Sequence, residues 1–114
     1  MTRMDKTSST TPRVKRPKAA TEVNGISEIL PYKDALVVVD TASYFMFIGK
    51  LVEVTERLLT LEDADVHDRR ESPSSNEKYV MESKKYGVRI NRKHVHIRFE
   101  EVVCISRLDD VIEY

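Results

Sequence analysis

Hydrophobic positions in this chain alternate with polar ones more often than they recur at helical spacing. Ala35–Thr41, ALVVVDT, is β-branched and free of Gly and Pro, and it predicts a strand. Thr41–Ser43 then turns the chain, and Tyr44–Val54 predicts a long second strand interrupted by Gly49. Glycine inside a strand marks a bulge or a sharp bend. A bent, over-long strand is one way a small sheet curls toward a barrel. Thr55–Leu58 predicts the next turn and Leu59–Val66 a third strand. Val88–Ile97 predicts a fourth, alternating at Val95 and Ile97, and Glu100–Glu101 a tight polar turn. Val102–Ser106, VVCIS, predicts a short last strand, buried on both faces or covered by a partner. Cys104, between Val103 and Ile105, is expected there as a small buried hydrophobe.

Two stretches break the alternation. Asn24–Leu30 predicts a short helical turn, with Asn24 as N-cap and Ile26, Ile29 and Leu30 on one face. Pro31 ends it. It is too short to stand alone, so it should lie on the open end of the sheet. Residues 67–92 form an insertion that starts as a polar loop around Pro73. Ser75 or Asn76 can cap a helix running to Tyr86 and stopped by Gly87, while a hairpin arm extending the flanking strands is an equal alternative. Val111 and Ile112 are expected to tuck back. The expected fold is all-β: a small, five-stranded, strongly bent SH3-like barrel with a short N-terminal helix and an insertion between strands three and four.

A length of 114 residues fits one domain. We expect it at 24–114, after a basic tail at 1–23 that has too few apolar residues to offset its ordering entropy. No apolar run approaches a membrane span and no secretory h-region opens the chain. The single cysteine excludes an intrachain disulfide, which fits a reducing, cytoplasmic setting. Net charge is zero but unevenly placed. Residues 1–22 carry six Lys/Arg against two acids, and residues 69–93 carry eight against three. The rest of the chain is therefore acidic, and polyanion affinity must come from the tail and the insertion. Arg13–Lys18, RVKRPK, can serve as an RNA-contacting arm or as a solvated, solubilising stretch.

Asp63, Asp65 and His67 project to one face if their strand is regular, and three such groups can hold a divalent metal. Acidic strand ends are also common solvated faces, and no metalloenzyme spacing is present, so metal binding is a minority expectation. His94 and His96 share a strand face opposite Val95 and Ile97. Arg69, Arg70, Lys84, Lys85, Arg89, Arg92 and Lys93, interleaved with Tyr79 and Tyr86, suit a single-stranded RNA or phosphate surface and equally an ordinary soluble insertion. No His-Asp partner arrangement marks Cys104 as a nucleophile, and hydrolysis by a metal-bound water at Asp63, Asp65 and His67 is a lesser alternative still, so neither catalysis nor a cofactor is expected.

Val37–Asp65 resembles the first signature of the Sm and Sm-like proteins: a β-branched strand, a Gly-x-Leu step and a Leu-x-Leu-Glu-Asp-Ala strand. Here these are Val37–Asp40, Gly49-Lys50-Leu51 and Leu59–Ala64. Ile97–Ile105, IRFEEVVCI, resembles the second signature, with Phe99 where the family has Gly. The resemblance implies a ring-forming, non-catalytic subunit that binds RNA or another polyanion, assembled by strand-edge pairing of residues 94–106. In the family an aromatic and an Asn between the second and third strands read a base, whereas Thr55-Glu56-Arg57-Leu58 has neither. The RNA-binding residues it implies here are Arg98, Phe99, Arg57, Lys93 and His94. Lys93-His94 looks similar to a pair in the bacterial branch of the family. The alternatives are a structural assembly barrel with no nucleic-acid role, or a metal-binding protein using Asp63, Asp65 and His67.

Overall fold

The computed structural model describes residues 25–71 and 75–113. The expected basic tail and the Asn24 cap lie outside the described residues. Residues 25–29 are helical (α1) and run into a single 3₁₀ turn, Leu30–Tyr32, with proline in its first positions. Five strands follow in one antiparallel sheet: β1 Leu36–Thr41, β2 Phe45–Val54, β3 Leu58–Asp68, β4 Arg92–Arg98 and β5 Val102–Arg107. Helix α2, Asn76–Tyr86, lies between β3 and β4. The strand order is β4-β3-β2-β1-β5, so β4 and β5 are the two edges.

The sheet is strongly bent. Edge strands of a flat sheet this wide would lie about 19 Å apart at ~4.8 Å per step. Yet Val95 and Ile97 of β4 and Val102 and Ile105 of β5 pack on one buried cluster built from Val37, Val39, Leu51, Leu59 and Leu61. Only a sheet curled toward a barrel brings both edges to one core.

The bend sits at Gly49. Ile48 pairs with Asp65 and Lys50 with Glu62, so Gly49 alone faces the two residues Asp63 and Ala64. Asp63 takes a left-handed φ of 51° to make this bulge. A Cβ on Gly49 would lie 2.9 Å from Ala64 Cβ and 3.0 Å from Ala64 Cα, so the close approach requires glycine.

A second cluster lies on the opposite face of β1 and β2. Val38, Met46 and Ile48 pack there with Val80 of α2 and with Leu108, which follows β5. This explains why Val37–Val39 is a continuous apolar run: both faces of β1 are covered. Ile29 and Tyr32 rest on the first cluster, as expected for a helix closing the barrel end. Among the described residues, no helix is long and apolar enough to cross a membrane.

Several expectations need correction. The insertion is a helix and not a hairpin arm: Ser75 Oγ accepts from Lys78 N–H at 3.1 Å, and Gly87, with φ 102°, stops it. Strand β4 begins at Arg92 and not at Val88. There the Asn91 side chain takes over strand pairing, accepting from Val66 N–H at 2.9 Å and donating to Val66 O at 3.2 Å. Leu30 and Ile112 are exposed, while Val111 packs. Strand β5 is not buried on both faces by the described residues: it pairs with β1 alone among them, and Val103 is 67% exposed. Cys104 is likewise exposed, its Sγ donating to Asp40 Oδ2 at 3.1 Å. That hydrogen bond, then burial, holds the thiol above its ordinary pKa, so it stays protonated.

Candidate nucleic-acid interface

Two turns meet at one end of the sheet. In the β2–β3 turn, Thr55 Oγ1 accepts from Arg57 N–H at 3.2 Å and from Leu58 N–H at 3.0 Å. This local cap holds the turn without glycine. The β4–β5 connection is a 3₁₀ turn, Phe99–Glu101, and Phe99 N–H donates to Arg57 O at 2.7 Å. Between them lies an open cleft of about 330 Å³, lined by Glu56, Arg57, Leu58, Arg98, Phe99 and Glu100. Phe99 is half-buried, packing on the first core cluster while also lining the cleft. Arg98 forms an ion pair with Glu100, and both side chains are about two-thirds exposed, at 68% and 64%. Exposed pairs of this kind add little stability and exchange readily with a competing anion.

Arg57, Arg98 and Phe99 therefore come together, but Lys93 and His94 do not join them. Arg98 sits opposite Leu58, whereas His94 sits opposite Glu62, four residues back along β4. At ~3.4 Å per residue that is about 14 Å. His94 Nε2 lies 3.6 Å from the Glu62 carboxylate, and Lys93 is exposed on the strand edge. His96 is hydrogen-bonded to Thr60, Nδ1 to Oγ1, at 2.9 Å.

The shared face expected for Asp63, Asp65 and His67 is broken by the bulge, which shifts the alternation by one residue. Asp63 is exposed, while Asp65 is buried beneath α2. The Asp65 carboxylate accepts from Tyr79 Oη at 2.6 Å and from Asn91 Nδ2 at 3.0 Å. His67 stacks on the Tyr79 ring at 3.8 Å and 11°. Among the described residues, no group of three or more His, Cys, Asp or Glu is arranged to hold a metal ion. Asp65 and His67 instead fasten the insertion helix to the barrel. Sequence reasoning missed Tyr79 and Asn91 as the partners. The available signal was an aromatic next to Val80 on a helix otherwise poor in apolar residues.

Burial, then the Asp65 hydrogen bond, pushes the Tyr79 hydroxyl above the ordinary phenol range. The fold thus favours neutral Tyr79. Its contribution to stability is fully present below the unfolded phenol pKa of about 10 and is lost as pH rises through the folded value. Wild type should lose more stability than Tyr79→Phe between about pH 9.5 and 11. Denaturant melts of the two proteins across that range check this, and parallel curves would refute it.

The basic set divides by role. Arg69 donates to the carbonyls of Thr41, Ser43 and Tyr44. Arg70 pairs with Asp68 at 2.8 Å and lies over the Tyr44 ring at 4.3 Å. Lys84 donates to Asp109 O and Val111 O. Lys85, Arg89, Arg92 and Lys93 are exposed.

No protein-family model and no curated protein matches the chain. Among solved structures, it is similar to a Pyrococcus abyssii Sm protein in complex with a uridine heptamer. The identity is 21% and the TM-score 0.48, covering 82% of this chain and 99% of that one.

Proposed function

We propose that this chain is a non-catalytic barrel subunit that pairs edge to edge with its own copies through β4 and β5, and that it binds RNA or another polyanion at the Arg57–Arg98–Phe99 cleft. The observation that carries this is the meeting of two guanidinium groups and an aromatic edge at one open cleft. Arginine planes and aromatic rings are the surfaces on which unpaired bases stack, and guanidinium also pairs with phosphate. Pairing between copies answers a physical need. Among the described residues both edge ladders lack a strand partner on their outer side, and β5 exposes Val103 there. Lys93 and His94 are left out of the cleft. A cytoplasmic location goes with this reading, since it keeps the exposed Cys104 thiol reduced.

A purely structural barrel is favoured by one observation: Glu56 and Glu100 line the same cleft, and Glu100 already holds Arg98. Fluorescence anisotropy with oligo-U and oligo-A at about 50 mM salt separates the two readings. If the cleft binds RNA, Arg57→Ala/Arg98→Ala should weaken retention about tenfold or more and flatten the salt dependence by roughly 1.4 in log–log slope. No retention at that salt by an intact oligomer would leave the structural barrel standing.

A further inference from the structure

The two free edges are flanked by segments of opposite charge. From the end of α2 into the start of β4, residues 84–93 carry Lys84, Lys85, Arg89, Arg92 and Lys93, and no acid occurs between Ser83 and Phe99. Ile90 in this ribbon is 58% exposed. Among the described residues, none of Arg89, Arg92 or Lys93 is paired with a carboxylate. After β5 the chain runs Asp109, Asp110, Val111, Ile112, Glu113, and Ile112 is 67% exposed. A groove of about 360 Å³ lies there, walled by Asp40, Glu77 and Asp110 and floored in part by Met81, Val111 and Ile112. Lys84 of α2 fixes this segment through the carbonyls of Asp109 and Val111.

We infer that this acidic groove beside β5 receives the basic ribbon 89–93 of a second copy of the chain. The inference rests on the edge-pairing reading above. In an antiparallel β4–β5 pair, residues that precede β4 run alongside residues that follow β5. Ile97 and Ile105 both pack on the first core cluster. Setting Ile97 of one copy opposite Ile105 of the next keeps the inward faces continuous. That register ends the ladder with Val95 level with Arg107, so Lys93 and Arg92 meet the 3₁₀ turn Leu108–Asp110, which carries Asp109 and Asp110, and the ribbon before them runs on toward the groove. A one-residue slip would turn the inward residues to solvent, so the faces exclude odd shifts and the charges choose among registers two residues apart. The insertion thereby acquires a role in assembly: α2 walls the groove of its own copy, and the ribbon after it fills the groove of the next.

Charge reversal and rescue test this. At low salt, Arg92→Glu and Asp110→Arg should each raise the subunit dissociation constant about tenfold or more by sedimentation velocity, because each sets like charges face to face. The double variant Arg92→Glu/Asp110→Arg should return to within about threefold of wild type, because every interface then carries the swapped pair. Far-UV dichroism spectra of the single variants should match wild type, since both side chains are exposed and their change leaves the fold of each subunit intact. Unchanged association in both single variants, with wild type oligomeric, would overturn the inference and leave edge pairing intact. A double variant as weak as the two singles combined would also overturn it. A wild type that stays monomeric at high concentration removes the inference together with the edge-pairing reading. Shifts in Met81 and Val111 resonances on deleting residues 1–22, with association unchanged in Arg92→Glu, would give the groove to the chain's own basic N-terminal segment and likewise overturn it.

Discussion

Replacing Gly49 with valine is expected to destabilise the chain by about 3 kcal/mol, at the upper end for a residue forced into a packed site. At position 49 even the Cβ would lie 2.9 Å from Ala64 Cβ and 3.0 Å from Ala64 Cα. The second of these is backbone, so a side-chain rotation cannot relieve it. Valine adds two methyl groups to that overlap. Relief would require opening the β2–β3 pairing where Gly49 faces Asp63 and Ala64, which is also where the sheet bends. The cost therefore falls on the barrel as a whole. Urea melts followed by far-UV dichroism measure it, and a change below about 0.5 kcal/mol would sink the steric account. A companion pair sharpens the test. Gly49→Ala/Ala64→Gly should cost less than the sum of its single variants, because the Cβ–Cβ contact disappears while the contact to Cα remains.

The bend at Gly49 was legible because glycine in a long β-branched strand has few other uses. Its consequence one strand away was not. The left-handed Asp63 that completes the bulge carries no mark in LEDADVHD, so regular alternation put Asp63, Asp65 and His67 on one face. Burial of Asp65 depends on Tyr79 and Asn91, which lie 14 and 26 residues downstream. Their pairing is a tertiary fact without local periodicity. The same holds for the insertion. Ser75 and Gly87 signalled a helix, but only the packing of Val80 beside Met46 and Ile48 says where it lies. The apolar character of VVCIS was read correctly, yet whether such a strand is covered depends on its neighbours. Among the described residues β5 has β1 alone beside it, and Cys104 and Val103 are open. Arg57, Arg98 and Phe99 could be named from the turns that carry them. The separation of Lys93 and His94 from that cleft follows from the register of β4 on β3.

Asp65→Ala is expected to release α2 before it unfolds the barrel. In α2 only Val80 and Ser83 are buried, so apolar contact alone holds it weakly. The Asp65 carboxylate supplies the acceptor for Tyr79 Oη at 2.6 Å and for Asn91 Nδ2 at 3.0 Å. Removing it strands both donors in a partly closed site, and each such loss costs about 1–3 kcal/mol. It leaves the first core cluster untouched, because Val37, Val39, Leu51, Leu59 and Leu61 make no use of that carboxylate. The loss of about 3 kcal/mol should therefore appear mainly as local opening. Amide hydrogen exchange in Asn76–Tyr86 should accelerate by about a hundredfold, while amides of β1 and β2 change several-fold less. Tyr79→Phe should reproduce part of the effect, since the ring can still stack on His67 while the hydroxyl is gone. Uniform acceleration across helix and strands would show that α2 and the barrel open as one unit, against the separate fastening argued from Asp65. Because α2 walls the groove beside β5, subunit association in Asp65→Ala should weaken together with helix protection, even though residue 65 lies on neither free edge.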